Sequence, residues 1–268
     1  MRAYRLAYDG TDYRGFQRQP DVPTVEDALL GALRALDVLD GDGPPPGYAA
    51  AGRTDAGVSA LAQTVSFEAP DWLDPRAFNA ELPAGVRAWA AAEAPPAFHA
   101  THDATERTYT YHLHAPDASA SRARAALDRL AGEHDFHNLT PDETGTVRRL
   151  STAHRPDGAY LVLTFRAPGF ARHLVRRLVS LVAEVASGEA DLDRVERVLA
   201  AAPLDGPAGV ATAPAEPLVL TGVTYPGLSF AVDEAAAASA RAVFEARAVE
   251  RRTGARVAGT VRDGLTGE

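Results

Sequence analysis

The chain contains no cysteine among its 268 residues. Disulfides and thiolate metal sites are therefore excluded, and the composition is compatible with a reducing compartment such as the cytoplasm. Lysine is also missing: all 27 basic residues are arginine, set against 36 acidic ones for a formal net charge of -9. Arginine forks onto phosphate and stacks on bases, but a GC-rich coding bias produces the same preference, and an acidic surface also suits a salt-loaded cytoplasm. Overall acidity argues mildly against a polyanionic ligand. It does not exclude one, because an arginine-lined cleft sets the field that the ligand meets. No apolar run is long enough to span a membrane. The N-terminus "MRAYRLAYDG" enters strand-like alternation at once, with no signal-peptide pattern. A 46% hydrophobic content supports a sizeable core.

Hydrophobic periodicity divides the chain into strands and crossing helices. Strands are predicted at 2–9, 48–53, 62–68, 85–94, 106–115, 146–155, 159–166 and 217–226, the sixth and seventh forming a hairpin around "RPDG". Helices are predicted at 24–36, 74–80, 121–131, 169–188, 192–202 and 233–252, with the last dozen residues loose. Thr24 is placed to cap the first helix, with Asp27 at its third position. The pattern is α+β. It divides into an N-terminal lobe (1–103), a C-terminal lobe (104–227) and a helical tail (228–268).

The segment "AGRTDAGVSA", 51–60, crowds Arg53, Thr54 and Asp55 between Gly52 and Gly57. Asp55 follows a strand, where an aspartate commonly serves as an Asx-turn or helix cap. It also stands where a loop delivers a side chain into a cleft. Arg53, two residues earlier on extended backbone, shares a face with it and reads either as a solvated strand end or as a phosphate contact beside a carboxylate. Tyr109 reads as a strand tyrosine with its ring in the core. Arg176 reads as a helix residue covering apolar surface. His112 and His114 alternate on one strand without a third ligand, so no metal site is expected.

"GRTDAGV" resembles the signature of the TruA family of tRNA pseudouridine synthases, and further motifs follow in register. "YDGTDYRGFQRQ" (8–19), "TVEDALLGAL" (24–33), "FHATHDATERTYTYHL" (98–113), "GFARHLVRRLVSLVAEVASG" (169–188) and "APAEPLVLTGVTYP" (213–226) each resemble a family segment. Phe16, Ser59, Leu174 and Pro217 depart from common family choices, and residues 227–268 match no motif.

The resemblance implies a pseudouridine-synthase fold of two RRM/ferredoxin-like lobes, whose mainly antiparallel sheets join into one beneath an RNA-binding cleft. It also implies isomerisation of uridine to pseudouridine in the anticodon stem-loop of tRNA, at positions 38–40, by a cytoplasmic homodimer without cofactor. Asp55 would be the nucleophile, Tyr109 the stacking or proton-transferring group that binds the target base, and Arg176 the partner of the carboxylate. Arg14, Gln17, Arg18, Arg53, Arg107, Arg172 and His173 would contact RNA. The competing readings are a non-catalytic RNA-binding module and an aspartate-dependent nucleoside hydrolase. The hydrolase usually needs a second carboxylate, and the motif around Asp55 offers none.

Overall fold

A computed structural model describes residues 1–204, 206 and 209–265. The strands are β1 (Arg2–Tyr8), β2 (Ala49–Ala50), β3 (Ser59–Phe67), β4 (Val86–Glu93), β5 (Glu106–His114), β6 (Gly132–Asp135), β7 (Val147–Asp157), β8 (Tyr160–Ala167), β9 (Leu218–Thr224) and β10 (Ala231–Val232). The α-helices are α1 (Val25–Ala35), α2 (Pro75–Glu81), α3 (Ala120–Leu130), α4 (Leu174–Ser187), α5 (Leu192–Leu199) and α6 (Glu234–Gly264).

One sheet runs through the molecule in the order β10-β4-β1-β3-β9-β5-β8-β7-β6, with β2 paired to β3. Neighbours are antiparallel except β3 and β9, which pair in parallel at Ser59↔Val219 and Ala60↔Leu220. That short ladder joins the strands packed under α1 and α2 to those packed under α3, α4 and α5. Each part has its own core. In the first, Tyr4 stacks on Phe67 at 5.2 Å and meets Phe78 edge-on at 5.5 Å. In the second, Phe136, Leu163 and Phe165 pack with Leu178 and Val182 of α4. Tyr109, on β5 beside the joint, packs against both cores.

Local chemistry accounts for most elements. Thr24 Oγ1 accepts from the Asp27 amide at 3.2 Å and donates to its carboxylate at 2.7 Å, so the expected near capping box forms. Along β4, Val86, Ala88, Ala90 and Ala92 face inward and their neighbours outward.

The structure corrects several sequence-based boundaries. The helix expected over 169–188 begins only at Leu174, because His173 adopts a left-handed conformation (φ 62°) and the Arg172 amide donates to the Asp142 carboxylate. The helix expected to end at 202 stops at Leu199, where Ala200 is extended. β3 starts at Ser59 rather than 62, and the short β6 and β10 escape the periodicity. The tail expected to be loose from 257 is helical to Gly264; residues 266–268 lie outside the described ones.

Candidate active site

The segment 51–58 leaves β2 and turns back into β3 across the mouth of a cleft of about 1220 Å³. Its backbone is held from several sides. Tyr8, buried at the end of β1, shares a hydrogen bond of 2.7 Å with the buried Thr54 hydroxyl. Phe16 N donates to Thr54 O at 3.0 Å, and Val58 N donates back to Asp55 O at 3.1 Å. Gly57 makes the bend at φ 82°, a conformation that favours glycine, and a Cβ there would sit a tight 3.2 Å from Ala215 Cβ.

This scaffold turns the Asp55 carboxylate into the cleft, 29% exposed. From α4, Arg176 Nη1 lies 3.3 Å from Asp55 Oδ2, while its Nε donates to Ala213 O at 2.6 Å. His173 brings Nε2 to 3.7 Å from the same carboxylate oxygen. The left-handed backbone at His173 is a conformation that a residue with a Cβ adopts at some cost; it places the ring beside Asp55 and directly precedes the first turn of α4, which carries Arg176.

Tyr109 lines the same cleft from β5, its ring edge-on to Phe170 at 5.2 Å and 88°. Burial pushes its phenol up to about 12; the Arg107 cation opposes that rise and the Asp55 charge adds to it. The hydroxyl therefore stays protonated at neutral pH and can donate. Arg53 is exposed on the cleft lining, and Arg14, Gln17 and Arg172 line it as well. Arg172 also pairs with Asp142 at 3.4 Å.

Two of the arginines expected at the RNA have donors engaged within the protein, although Arg107 also lines the cleft. Arg107 is 9% exposed and spends its donors on carbonyls: Nε and Nη2 on Ala51 O at 2.9 and 2.6 Å, Nη2 on Thr101 O at 2.7 Å, and Nη1 on Ala104 O and Pro168 O. It ties β2, the 101–104 turn and the start of the 168–173 loop together. Arg18 pairs with Asp27 at 2.9 Å and donates to Asp42 O at 2.6 Å, away from the cleft lining.

Sequence reasoning passed over Phe170, the ring that fixes Tyr109, although it stands in the "GFARHLV" stretch that carried other candidates. The buried Tyr8 and Thr54 pair, which anchors the motif, carries no sequence signal beyond its place in "LAYDG" and "GRTDAG". Among the described residues, no group of three or more histidines, aspartates or glutamates is placed to hold a metal.

A carboxylate flanked by a guanidinium and an imidazole, under an aromatic pair in an arginine-lined cleft, can meet a flat, anionic ligand with a nucleophile. A family model described as "tRNA pseudouridine synthase" matches residues 126–226. The chain is 62% identical to a tRNA pseudouridine synthase A of Natronomonas pharaonis, over 97% of this chain and 98% of that one. It is 58% identical to one of Haloarcula marismortui over 99% and 100%, and 59% identical to one of Halobacterium salinarum over 96% and 97%. Among solved structures, a Cbf5-Nop10-Gar1 complex aligns at 10% identity with a TM-score of 0.37, over 82% of this chain and 58% of that one, a likeness too slight to build on. With identity this high across nearly the whole chain, and with the motif carboxylate seated against Arg176 in the cleft, the chain belongs to the tRNA pseudouridine synthase A family.

Proposed function

We propose that this protein isomerises uridine to pseudouridine in the anticodon stem-loop of tRNA, at positions 38–40, with Asp55 as the acting carboxylate. The observation that carries the reading is the 3.3 Å approach of Arg176 Nη1 to Asp55 Oδ2 at the cleft. A carboxylate held at that guanidinium is oriented to act as a nucleophile or to steady an oxocarbenium-like centre.

In the reaction the uridine N1–C1′ bond breaks, the uracil turns over, and a C5–C1′ bond forms. C5 gives up its proton and N1 ends protonated, so atoms and electrons balance without oxidant, reductant or net water. The chemistry therefore calls for no cofactor. A stacked nucleotide is out of reach of such a site, so the target must be everted, at a cost of a few kcal/mol. Tyr109, braced by Phe170, offers a face for the everted uracil and a phenol that donates. Arg53 stands where it can fill the vacated stack or hold the adjoining phosphate, and Arg14, Gln17, Arg172 and His173 extend the contact along the cleft.

In the same reading, lobes 1–103 and 104–227 grip the RNA between them, with 228–268 as an appended tail. Two copies, working as a cytoplasmic homodimer, bring arginines from both chains to one tRNA. Such pooling would offset the net charge of -9.

The test is incubation with unmodified tRNA transcript followed by carbodiimide mapping, for the wild type and for Asp55→Ala. Product at positions 38–40 that disappears in Asp55→Ala with tRNA binding kept supports the proposal. Product in another arm sinks the site assignment, release of free uracil points to a hydrolase, and binding without product points to a passive RNA-binding module.

A further inference from the structure

The tail helix α6 reaches back to the opposite end of the sequence. Its first turns bury Ala236, Ala237 and Ala240, and the Asp233 amide before it donates to Trp89 O of β4 at 3.1 Å. Further along, Arg247 and Arg251 stand one turn apart and converge on a single carboxylate, that of Asp9, which is 4% exposed. Asp9 Oδ2 takes Arg247 Nη1 at 2.8 Å and Arg251 Nη2; Oδ1 accepts the Thr11 amide at 3.2 Å and hydroxyl at 2.7 Å. Burial alone would raise the Asp9 carboxyl, but hydrogen bonds from Thr11 and Arg247, with the Arg251 charge, hold it below the usual carboxylate range.

Asp9 opens the loop that carries Arg14 and Gln17, and this loop is laminated onto the Asp55 segment. Gly10 N donates to Ser59 Oγ at 3.1 Å, Gly57 N to Tyr13 O at 3.2 Å, and Phe16 N to Thr54 O at 3.0 Å. A Cβ on Gly10 would fall 2.1 Å from Val58 O, so the two segments have no room to slide. Mechanical continuity thus runs from α6 through Asp9 and the 10–16 loop to Thr54 and Gly57 on either side of Asp55.

We propose that α6 is a positioning element for the active site, with Arg247 and Arg251 clamping Asp9 so that the 10–16 loop holds the Asp55 segment in register. The proposal rests on Asp55 being the acting carboxylate. Neither arginine lines the cleft; both act through another residue. An isolated surface pair would contribute little, but here the shared carboxylate is buried, and removing its cations leaves that charge uncompensated. The carboxylate must then draw in water or a proton, and the loop loosens.

The test uses the full chain and compares wild type, Arg247→Ala/Arg251→Ala and Arg247→Lys/Arg251→Lys. Three quantities are read: tRNA affinity, the single-turnover isomerisation rate at saturating enzyme, and amide hydrogen exchange. The double alanine variant is expected to bind tRNA nearly as wild type does, yet to isomerise about ten- to a hundredfold more slowly, as a small misplacement of a reacting group would produce. Exchange should quicken at 10–16 and 54–59 and stay unchanged in β5 and β8. The lysine pair should restore part of the rate. An unaltered rate, or exchange that quickens uniformly across the sheet, overturns the proposal. If the double alanine variant does not fold, Arg251→Gln alone is held to the same outcomes. Asp55→Ala is assayed alongside: isomerisation by that variant would sink the reading of Asp55, while the exchange pattern still reports on the clamp.

Discussion

Arg176 divides one guanidinium between Asp55 and the backbone, with Nη1 3.3 Å from the carboxylate and Nε 2.6 Å from Ala213 O. The carbonyl fixes the plane of the fork, and the fork then presents its other edge to Asp55. A lysine carries the charge but not the fork. Arg176→Lys is expected to lower kcat/KM by about tenfold, and Arg176→Met by about a hundredfold or more, the range set by losing one electrostatic partner at a reacting group. Single-turnover kinetics on tRNA transcript, with the melting temperature as control, read the difference. A wild-type rate from Arg176→Lys would mean that orientation by Ala213 does nothing.

Arg53 and Arg107 both border the cleft and differ in burial. Arg53 is exposed on the cleft, whereas Arg107 is buried and saturated by carbonyls. Arg53→Ala should weaken tRNA binding and reduce the slope of log K against log salt by about one phosphate contact, a change of ~0.7–0.9. Arg107→Gln should leave that slope unchanged and instead destabilise the fold by about 3 kcal/mol, because buried carbonyls lose their donor. Salt titrations of binding and denaturant melts on both variants separate the two effects.

Alkaline pH should unfold the protein through its buried phenols. Burial pushes Tyr225 from the ordinary value of 10.0 up to about 12, and Tyr4 and Tyr8 higher still, and the Tyr225 hydroxyl donates to Ala100 O at 2.6 Å. The folded state therefore binds these protons more tightly than the unfolded chain. That stability is fully present below pH 10 and is lost as pH rises towards 12. Urea melts at stepped pH should show a flat region up to the lower limit and a decline above it. Tyr225→Phe, which removes one of the titrating groups, should make the decline shallower; a decline that stays equally steep would contradict the assignment.

Local patterning made much of this molecule legible. A cap such as Thr24 with Asp27, or the inward alternation of β4, involves neighbours a few residues apart, and period and chemistry state it directly. β6 and β10 escaped because four residues and two residues are too few to display a period. The start of α4 was misplaced because the apolar rhythm of 169–188 continues through His173, while the Asp142 carboxylate, 30 residues away, takes the Arg172 amide. The end of α6 escapes because its last turns are exposed and carry Gly254 and Gly259, which weaken a helix, although Val257 and Val261 keep helical spacing.

The sequence by itself determined the α+β class, the motif order and the residues from which a site could be built, since those depend on residue type and short spacing. Only the tertiary structure decided which arginine is buried and which is exposed. Arg107 and Arg53 look alike in a string; both border the cleft, but Arg107 is buried with its donors on backbone carbonyls while Arg53 is exposed. The meeting of Asp55 with Arg176 spans 121 residues, and that of Asp9 with Arg251 spans 242. Such charge pairs form where the parallel joint of β3 with β9, and the return of α6 onto β4, carry the partners together, because Coulomb attraction between side chains depends on separation in space and the solvent around them, not on distance along the chain.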